Sequence, residues 1–192
     1  MTKYYNTLSA VGTHKVTLTI SDSAGNVKTN TWNIQIVDIR LESTFNDSYP
    51  YPIGRPVSFT YTPYGALSKT LHVKLDGEDL EPVTIPSGIS GISQSYSLPA
   101  QVHGAHLLEC YLTASVGNKN IETPHIYKDI IWFDSTSTTP VISCIYRSDY
   151  YGKMEMQQYT TKSIPYTVYS STSNNPTIVL KEDGKTVNTL RL

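Results

Sequence analysis

Charge, sulfur and long apolar runs are all scarce in this chain of 192 residues. Only 16% of the residues are charged and the net charge is −1. That argues against a nucleic-acid partner, which needs a basic face to release counterions. No apolar stretch approaches the roughly 18 residues that a membrane span requires. The opening Met1-Thr-Lys-Tyr-Tyr-Asn has no apolar core like that of a signal peptide. No window carries a sustained 3.6-residue period, so helices are not expected. There are two cysteines, Cys110 and Cys144. Cys110 shares the inward phase of Leu108 and Leu112 and reads as a buried thiol, whereas Cys144 falls in a later strand.

What the chain does have is tyrosine, 15 in all, and period-two alternation. Tyrosine suits half-buried strands because it offers an apolar ring and a polar tip. His14, Val16, Leu18 and Ile20 alternate with Lys15, Thr17 and Thr19. Asp22-Ser-Ala-Gly25-Asn26 turns the chain, and Trp32, Ile34 and Ile36 resume the alternation. Further on, Ile39 to Ser43 reads as a short strand, followed by a loop, Tyr49 to Pro56, whose prolines exclude a central strand. Val57-Phe59-Tyr61 and Leu71-Val73-Leu75 read as strands, with Asp76-Gly77 as a hairpin turn. Strands are also expected near Leu80 to Ile85, Ile92 to Leu98, Ala105 to Ala114 and Ile126 to Asp134. Such short strands with turn signals between them form the pattern of a Greek-key β-sandwich.

The chain also repeats itself. Val57 to Gly77 aligns without a gap on Ile164 to Gly184, an offset of 107 (Val57 to Ile164). Gly12 to Asn26 aligns on Gly104 to Asn118, an offset of 92 (Gly12 to Gly104). The closing strands end at Asp38 and Asp134, 96 residues apart. The beginning therefore matches the second half of the middle, and the end matches its first half. The expected organisation is a C-terminal half-module at 1–38, a complete module at 39–134, a Ser/Thr linker at 135–140 and an N-terminal half-module at 141–192. The linker reads as a semi-flexible spacer, and the junction Val37-Asp-Ile-Arg40 as a stiffer one. The half-modules are expected to expose an apolar face and unpaired backbone, and to fray or to pair with complementary ends of another copy.

Gly12-Thr-His-Lys-Val-Thr-Leu-Thr-Ile-Ser-Asp-Ser-Ala-Gly-Asn26 resembles bacterial and phage immunoglobulin-like repeats of the PKD and bacterial-Ig kind. Those repeats often carry G-x-Y-x-V-x-V-x-V-x-D-x-x-G-N in this region. The match recurs at Gly104 to Asn118, where Thr113 stands for Ser21 and Ala114 for Asp22. The resemblance implies an all-β fold of tandem Ig-like Greek-key β-sandwiches, one complete and flanked by two partial ones. It also implies that His14 and His106 occupy the place of the corner tyrosine, which ties a strand entry to nearby backbone. The inter-sheet disulfide of antibody-type domains is absent. The Tyr- and Thr-rich texture with Asp-Gly hairpins is similar to virion proteins of gut phages.

No residue constellation reads as catalytic, and no cofactor or metal is expected. Asp76-Gly-Glu78-Asp79-Leu-Glu81 is the densest acidic cluster, but its repeat at Asp183-Gly-Lys185-Thr186-Val-Asn188 lacks most of the carboxylates. It reads as a solvated hairpin end rather than a calcium loop. His103 and His106 lie three apart on a strand and point to opposite faces, while His72 and His125 match no common ligand spacing. Ser90 in Gly88-Ile-Ser-Gly91 has no placed base. The expected contact surface is instead Tyr49, Tyr51, Tyr61 and Tyr64 around the Pro-rich loop, echoed by Tyr146, Tyr150, Tyr151 and Tyr159. Tyrosines at one end of a sandwich can grip sugars or proteins, or can pack against the neighbouring repeat.

The expected role is a non-catalytic structural or adhesive segment of a larger phage virion protein, located in the virion or outside the cell. It would act as a spacer or present a binding domain. A bacterial cell-surface adhesin repeat and a carbohydrate-binding accessory module of a glycoside hydrolase are the alternatives. The expected partners are neighbouring Ig-like modules, other virion proteins or cell-surface glycans, with no nucleic acid and no membrane.

Overall fold

A computed structural model describes residues 11–45, 50–143, 166–170 and 177–191. The strands and the antiparallel ladders that follow from the alternation are present, and there is no helix among the described residues. Tyr49, Cys144, Tyr146, Tyr150, Tyr151, Tyr159 and Ile164 lie outside the described residues.

The first element is a hairpin of β1 (Gly12–Ser21) and β2 (Val27–Ile36). Its turn is organised by Asp22, whose Oδ1 accepts from the Ala24 and Asn26 amides, both at 2.9 Å, and whose Oδ2 accepts from Asn26 Nδ2 at 2.7 Å. Those bonds, the Asn26 side chain foremost, hold its carboxyl below the ordinary range. Both oxygens are thus used locally, as a turn residue uses them.

The central region builds two sheets. β3 (Arg40–Thr44), β5 (Val57–Tyr64) and β9 (Gln94–Leu98) form one, in the order β3-β5-β9. The other runs β4-β12-β10-β6-β7, from β4 (Tyr51–Pro52), β12 (Ile126–Phe133), β10 (Gly104–Val116), β6 (Lys69–Leu75) and β7 (Glu78–Asp79). β8 (Val83–Ile85) joins β6, and β11 (Lys119–Glu122) joins β10. The Pro-rich loop contributes only β4, at the sheet edge, where a missing N–H costs no ladder bond. Neither β7 nor β11 is evident from the alternation, because each is short and half of a tight hairpin.

One buried core cluster draws on both sheets. Leu41, Val57, Phe59, Tyr61 and Leu98 from the first meet Leu71, Val73, Leu75, Leu108, Cys110, Leu112 and Trp132 from the second. Each Val- or Leu-sized side chain buried here contributes about 1.5–3 kcal/mol. Cys110 is a free, buried thiol, pushed up to about 12 chiefly by burial. Trp132 donates from Nε1 to the Arg55 carbonyl at 2.9 Å, so its polar atom is satisfied inside the core.

Beyond Phe133 the chain forms β13 (Val141–Ser143) against β14 (Thr167–Tyr169), and β15 (Thr177–Glu182) against β16 (Lys185–Arg191). The register carries the repeat further than the sequence does. β1 on β2 pairs Gly12↔Ile36 and Val16↔Trp32, while β10 on β12 pairs Gly104↔Trp132 and Leu108↔Lys128. The offsets of 92 and 96 convert one set into the other. β15 on β16 likewise reproduces β6 on β7 and β8, including the one-residue slip after Leu180. The Asp76-Gly77 turn, with φ of 54° and 88°, is matched by Asp183-Gly184 at 48° and 80°, the positive angles of a type I′ hairpin.

Candidate interaction surfaces

Four groups of side chains stand out. The first is the expected tyrosine surface, which the fold disperses. Tyr61 is 1% exposed and belongs to the core, its hydroxyl donating to Gln94 Oε1 at 2.9 Å. The exposure expected of it is therefore corrected: it shares the inward phase of Val57 and Phe59. Tyr51 is half-buried and lies 6.4 Å from the Trp132 ring. Tyr64 carries the Arg40 guanidinium 4.1 Å over its ring and donates to Glu42 Oε2 at 2.8 Å. Glu42 also pairs with Arg40 at 2.9 Å. This trio sits beside the junction between β2 and β3.

At that junction Gly65 has φ of 102°, and a Cβ there would collide with the Asp38 carbonyl oxygen. Gly65 N donates to Ser90 Oγ at 3.1 Å, which gives Ser90 a structural bond. Lys69, 2% exposed, directs its ammonium inward to the carbonyls of Gly65, Leu67 and Ile89 at 2.6, 2.8 and 3.0 Å. All three of its donors are used, and burial lowers its pKa. A shallow groove of about 320 Å³ nearby is lined by Ser68, Lys69, Thr70, Thr113, Ala114 and Ser115. It offers hydroxyls and an amine already held by carbonyls.

The second group is the clamp at the start of β10. Asp76 accepts from the Leu107 amide through Oδ1 at 2.8 Å and meets His106 Nδ1 through Oδ2 at 2.6 Å. His106 Nε2 lies 3.1 Å from the Val102 carbonyl, and its ring stands edge-on to Trp132. His106 thus bonds to backbone four residues upstream, the kind of contact a corner tyrosine makes. In the sequence Asp76 reads as a hairpin-turn residue of a solvated acidic cluster, and His106 stands out only through the Ig-like resemblance.

His103, on the other phase, secures the exit of β12. Its Nδ1 accepts from the Asp134 amide at 2.9 Å, and its Nε2 donates to the Thr139 carbonyl at 2.9 Å. Asp134 also accepts from Thr136, and Thr139 N donates to Ser137 Oγ. The segment expected to be a semi-flexible spacer is therefore bonded at several points to itself and to His103, just before β10. Val141 just beyond it is buried, and Ser143 donates to Asp129 Oδ2 at 3.0 Å.

The third group lies on the outer face of the larger sheet. His72, Tyr111 and His125 stack in parallel, with centroids 4.9 and 4.0 Å apart. His125 Nδ1 meets Glu109 and Nε2 meets Glu122 Oε1 at 2.7 Å. Burial opposes charge on the ring, but the bonds to Glu122 and Glu109 prevail and raise its pKa. His72 bonds to Thr113 at 2.9 Å. This cluster is invisible in the sequence, because Tyr111↔His72 and Thr113↔Glu122 become neighbours only through strand register. Among the described residues no group of three or more His, Cys, Asp or Glu side chains could hold a metal ion.

The fourth group is the pair of flanking hairpins. Leu18, Ile20, Trp32 and Ile34 of β1–β2 are 47%, 64%, 48% and 42% exposed, and Val179 and Leu180 of β15 are 45% and 53% exposed. No helix among the described residues is long and apolar enough to cross a membrane.

No family model and no curated protein matches this chain. Among solved structures, the chain is similar to dimeric latent PorU from Porphyromonas gingivalis, at 15% identity and a TM-score of 0.32. That match covers 64% of this chain, and the chain spans 12% of the PorU chain.

Proposed function

We propose that the chain is a run of Ig-like Greek-key sandwich modules, non-catalytic, that serves as a spacer in a larger phage virion protein and presents a binding domain. One observation carries the reading: strand register, turn conformation and even the slip in β15 recur at the repeat offsets. A chain built by repetition places side chains at fixed spacing, which suits holding rather than reacting. The bonded junctions support the same reading. His103 secures residues 134–139, and Gly65 lies against Asp38, so neighbouring units are held at defined points. A glycan platform fits less well, since Tyr64 is covered by Arg40 and Tyr51 lies beside Trp132.

Single-molecule pulling tests the mechanical role. Unfolding of residues 39–134 should appear as one dominant event releasing roughly 350 Å of chain, at about 3.6 Å per residue. Gradual extension without such an event overturns the spacer reading. Antibodies raised against the chain should decorate intact phage particles. Labelling confined to bacterial surfaces would instead transfer the reading to an adhesin. Glycan binding that is lost in Tyr51→Ala or Tyr64→Ala would replace it with a carbohydrate-binding module.

A further inference from the structure

The two joints of the chain, after β2 and after β12, are built differently. β13 pairs with β14 as β3 pairs with β5. Val141↔Tyr169 and Ser143↔Thr167 correspond to Glu42↔Thr62 and Thr44↔Thr60, with β14 displaced from β5 by the repeat offset of 107. Yet Glu42 lies four residues after Asp38, whereas Val141 lies seven after Asp134. The second joint is therefore three residues longer. Where the central unit has His103, just before Gly104, the first hairpin has Val11, just before Gly12. The added length and the histidine occur together.

The bonds show what the histidine does with that length. The Asp134 amide donates to Nδ1 at 2.9 Å, so Nδ1 carries no proton, and Nε2 donates to the Thr139 carbonyl at 2.9 Å. One neutral tautomer thus ties both ends of residues 134–139. Within the span, Asp134 Oδ1 accepts from the Thr136 amide and hydroxyl at 2.8 and 2.7 Å, and the Ser137 amide donates to the Asp134 carbonyl at 3.1 Å. The ring lies 5.2 Å from Phe133, which lies 6.4 Å from Tyr169 of β14, and β13 contacts both β10 and β12. The histidine therefore sits where the next unit meets the central one.

Protonation reverses one of its two bonds. An imidazolium donates from both nitrogens, so an Nδ1–H would confront the Asp134 N–H. The Asp134 carboxylate is the charged group that acts on the ring among the described residues. It is committed to Thr136, whose bonds hold its carboxyl below the ordinary range, so it stays ionised between pH 5 and 8. Either the ring turns toward that carboxylate and leaves Thr139, or the Thr136 turn opens. In both cases the span loses a bond.

We propose that His103 is an acid-released latch on the second joint: it holds residues 134–139 while neutral and frees them when protonated, and the first joint has no counterpart. The use of the latch rests on the spacer reading, to which it adds one joint whose stiffness depends on pH.

The full chain at pH 5–8 provides the test, read by magnetic resonance rather than by force or particle labelling, so that the latch and the spacer reading fail separately. At pH 8 the His103 ring nitrogens should report the Nε2–H tautomer. The Asp134 amide should be protected from exchange, and its protection should fall about tenfold, the worth of one hydrogen bond, along the ring's own titration curve. The Gly65 amide, bonded to Ser90 at the first joint, should show no such step. In a Cys144→Ser background, spin labels at Lys119→Cys and Thr167→Cys, both exposed positions, should give a distance distribution that broadens over the same pH range. His103→Gln supplies an acceptor and a donor that do not titrate, so it should abolish both steps and keep the joint held. His103→Ala should leave the joint loose at every pH. An Nδ1–H tautomer at pH 8 overturns the proposal. So does an Asp134 amide whose protection ignores the ring, or equal pH steps in His103→Gln.

Discussion

β1 and β10 are nearly the same strand in different surroundings. Val16, Leu18 and Ile20 occupy the positions of Leu108, Cys110 and Leu112, and β1 pairs with β2 in the register by which β10 pairs with β12. Leu112 is 0% exposed and Ile20 is 64% exposed. The difference lies in what faces them. β10 shares one buried cluster with Phe59, Tyr61 and Leu98 of the other sheet, while β1 belongs to a two-stranded sheet whose Leu18 and Ile20 stay exposed. Hairpin register is thus a local property of alternation and turn chemistry, whereas burial is conferred by a second layer.

That contrast can be broken most sharply at its centre. Leu112→Ala should cost about 3 kcal/mol of central-unit stability, through lost transfer energy and a residual cavity. Ile20→Ala should stay within about 0.5 kcal/mol. Urea unfolding followed by Trp132 fluorescence reads both, and equal losses would show that the hairpin shares the core. Next in size is Lys69→Met, which leaves three carbonyls without their ammonium and should cost about 2–3 kcal/mol by the same measurement.

The two turn aspartates sharpen the comparison further. Asp76→Ala should cost about 2 kcal/mol by removing the clamp on Leu107 and His106. In dilute solution Asp183→Ala should fall within about 0.5 kcal/mol. A comparable loss at both sites would mean that Asp183 is held by bonds like those of Asp76.

The smallest effect concerns pH. The folded pKa of His125 is raised above its ordinary 6.5. Its contribution is therefore fully present below pH 6.5 and is lost as pH rises through the higher folded value. Stability measured between pH 5.5 and 8.5 should fall with pH, and His125→Gln should flatten that part of the slope. NMR titration of the ring gives the pKa directly, and a value at or below 6.5 would contradict the assignment.

The strands, the Asp-Gly turns and the repeat are legible in the sequence because each depends on residues close along the chain. Alternation marks Leu71, Val73 and Leu75, and the same parity reaches Lys69, where a charged side chain gives no local sign of burial. Three carbonyls make that inward ammonium tolerable, and nothing local announces them. His106 is recognisable through the Ig-like resemblance, but its carboxylate partner lies 30 residues away. The His72–Tyr111–His125 stack draws on three separate segments, and only ladder register brings them together. Tyr61 shows the converse error. Proximity to the Pro-rich loop suggested exposure, while its own phase, shared with Phe59, placed it inside.

Gly65 sets how closely the chain leaving β2 seats on the central region. The Asp38 carbonyl rests where a side chain at residue 65 would otherwise stand, and Gly65 is itself held by its bond to Ser90. One absent methyl group thus makes the joint a bearing surface, and Gly65→Ala would turn it into a wedge.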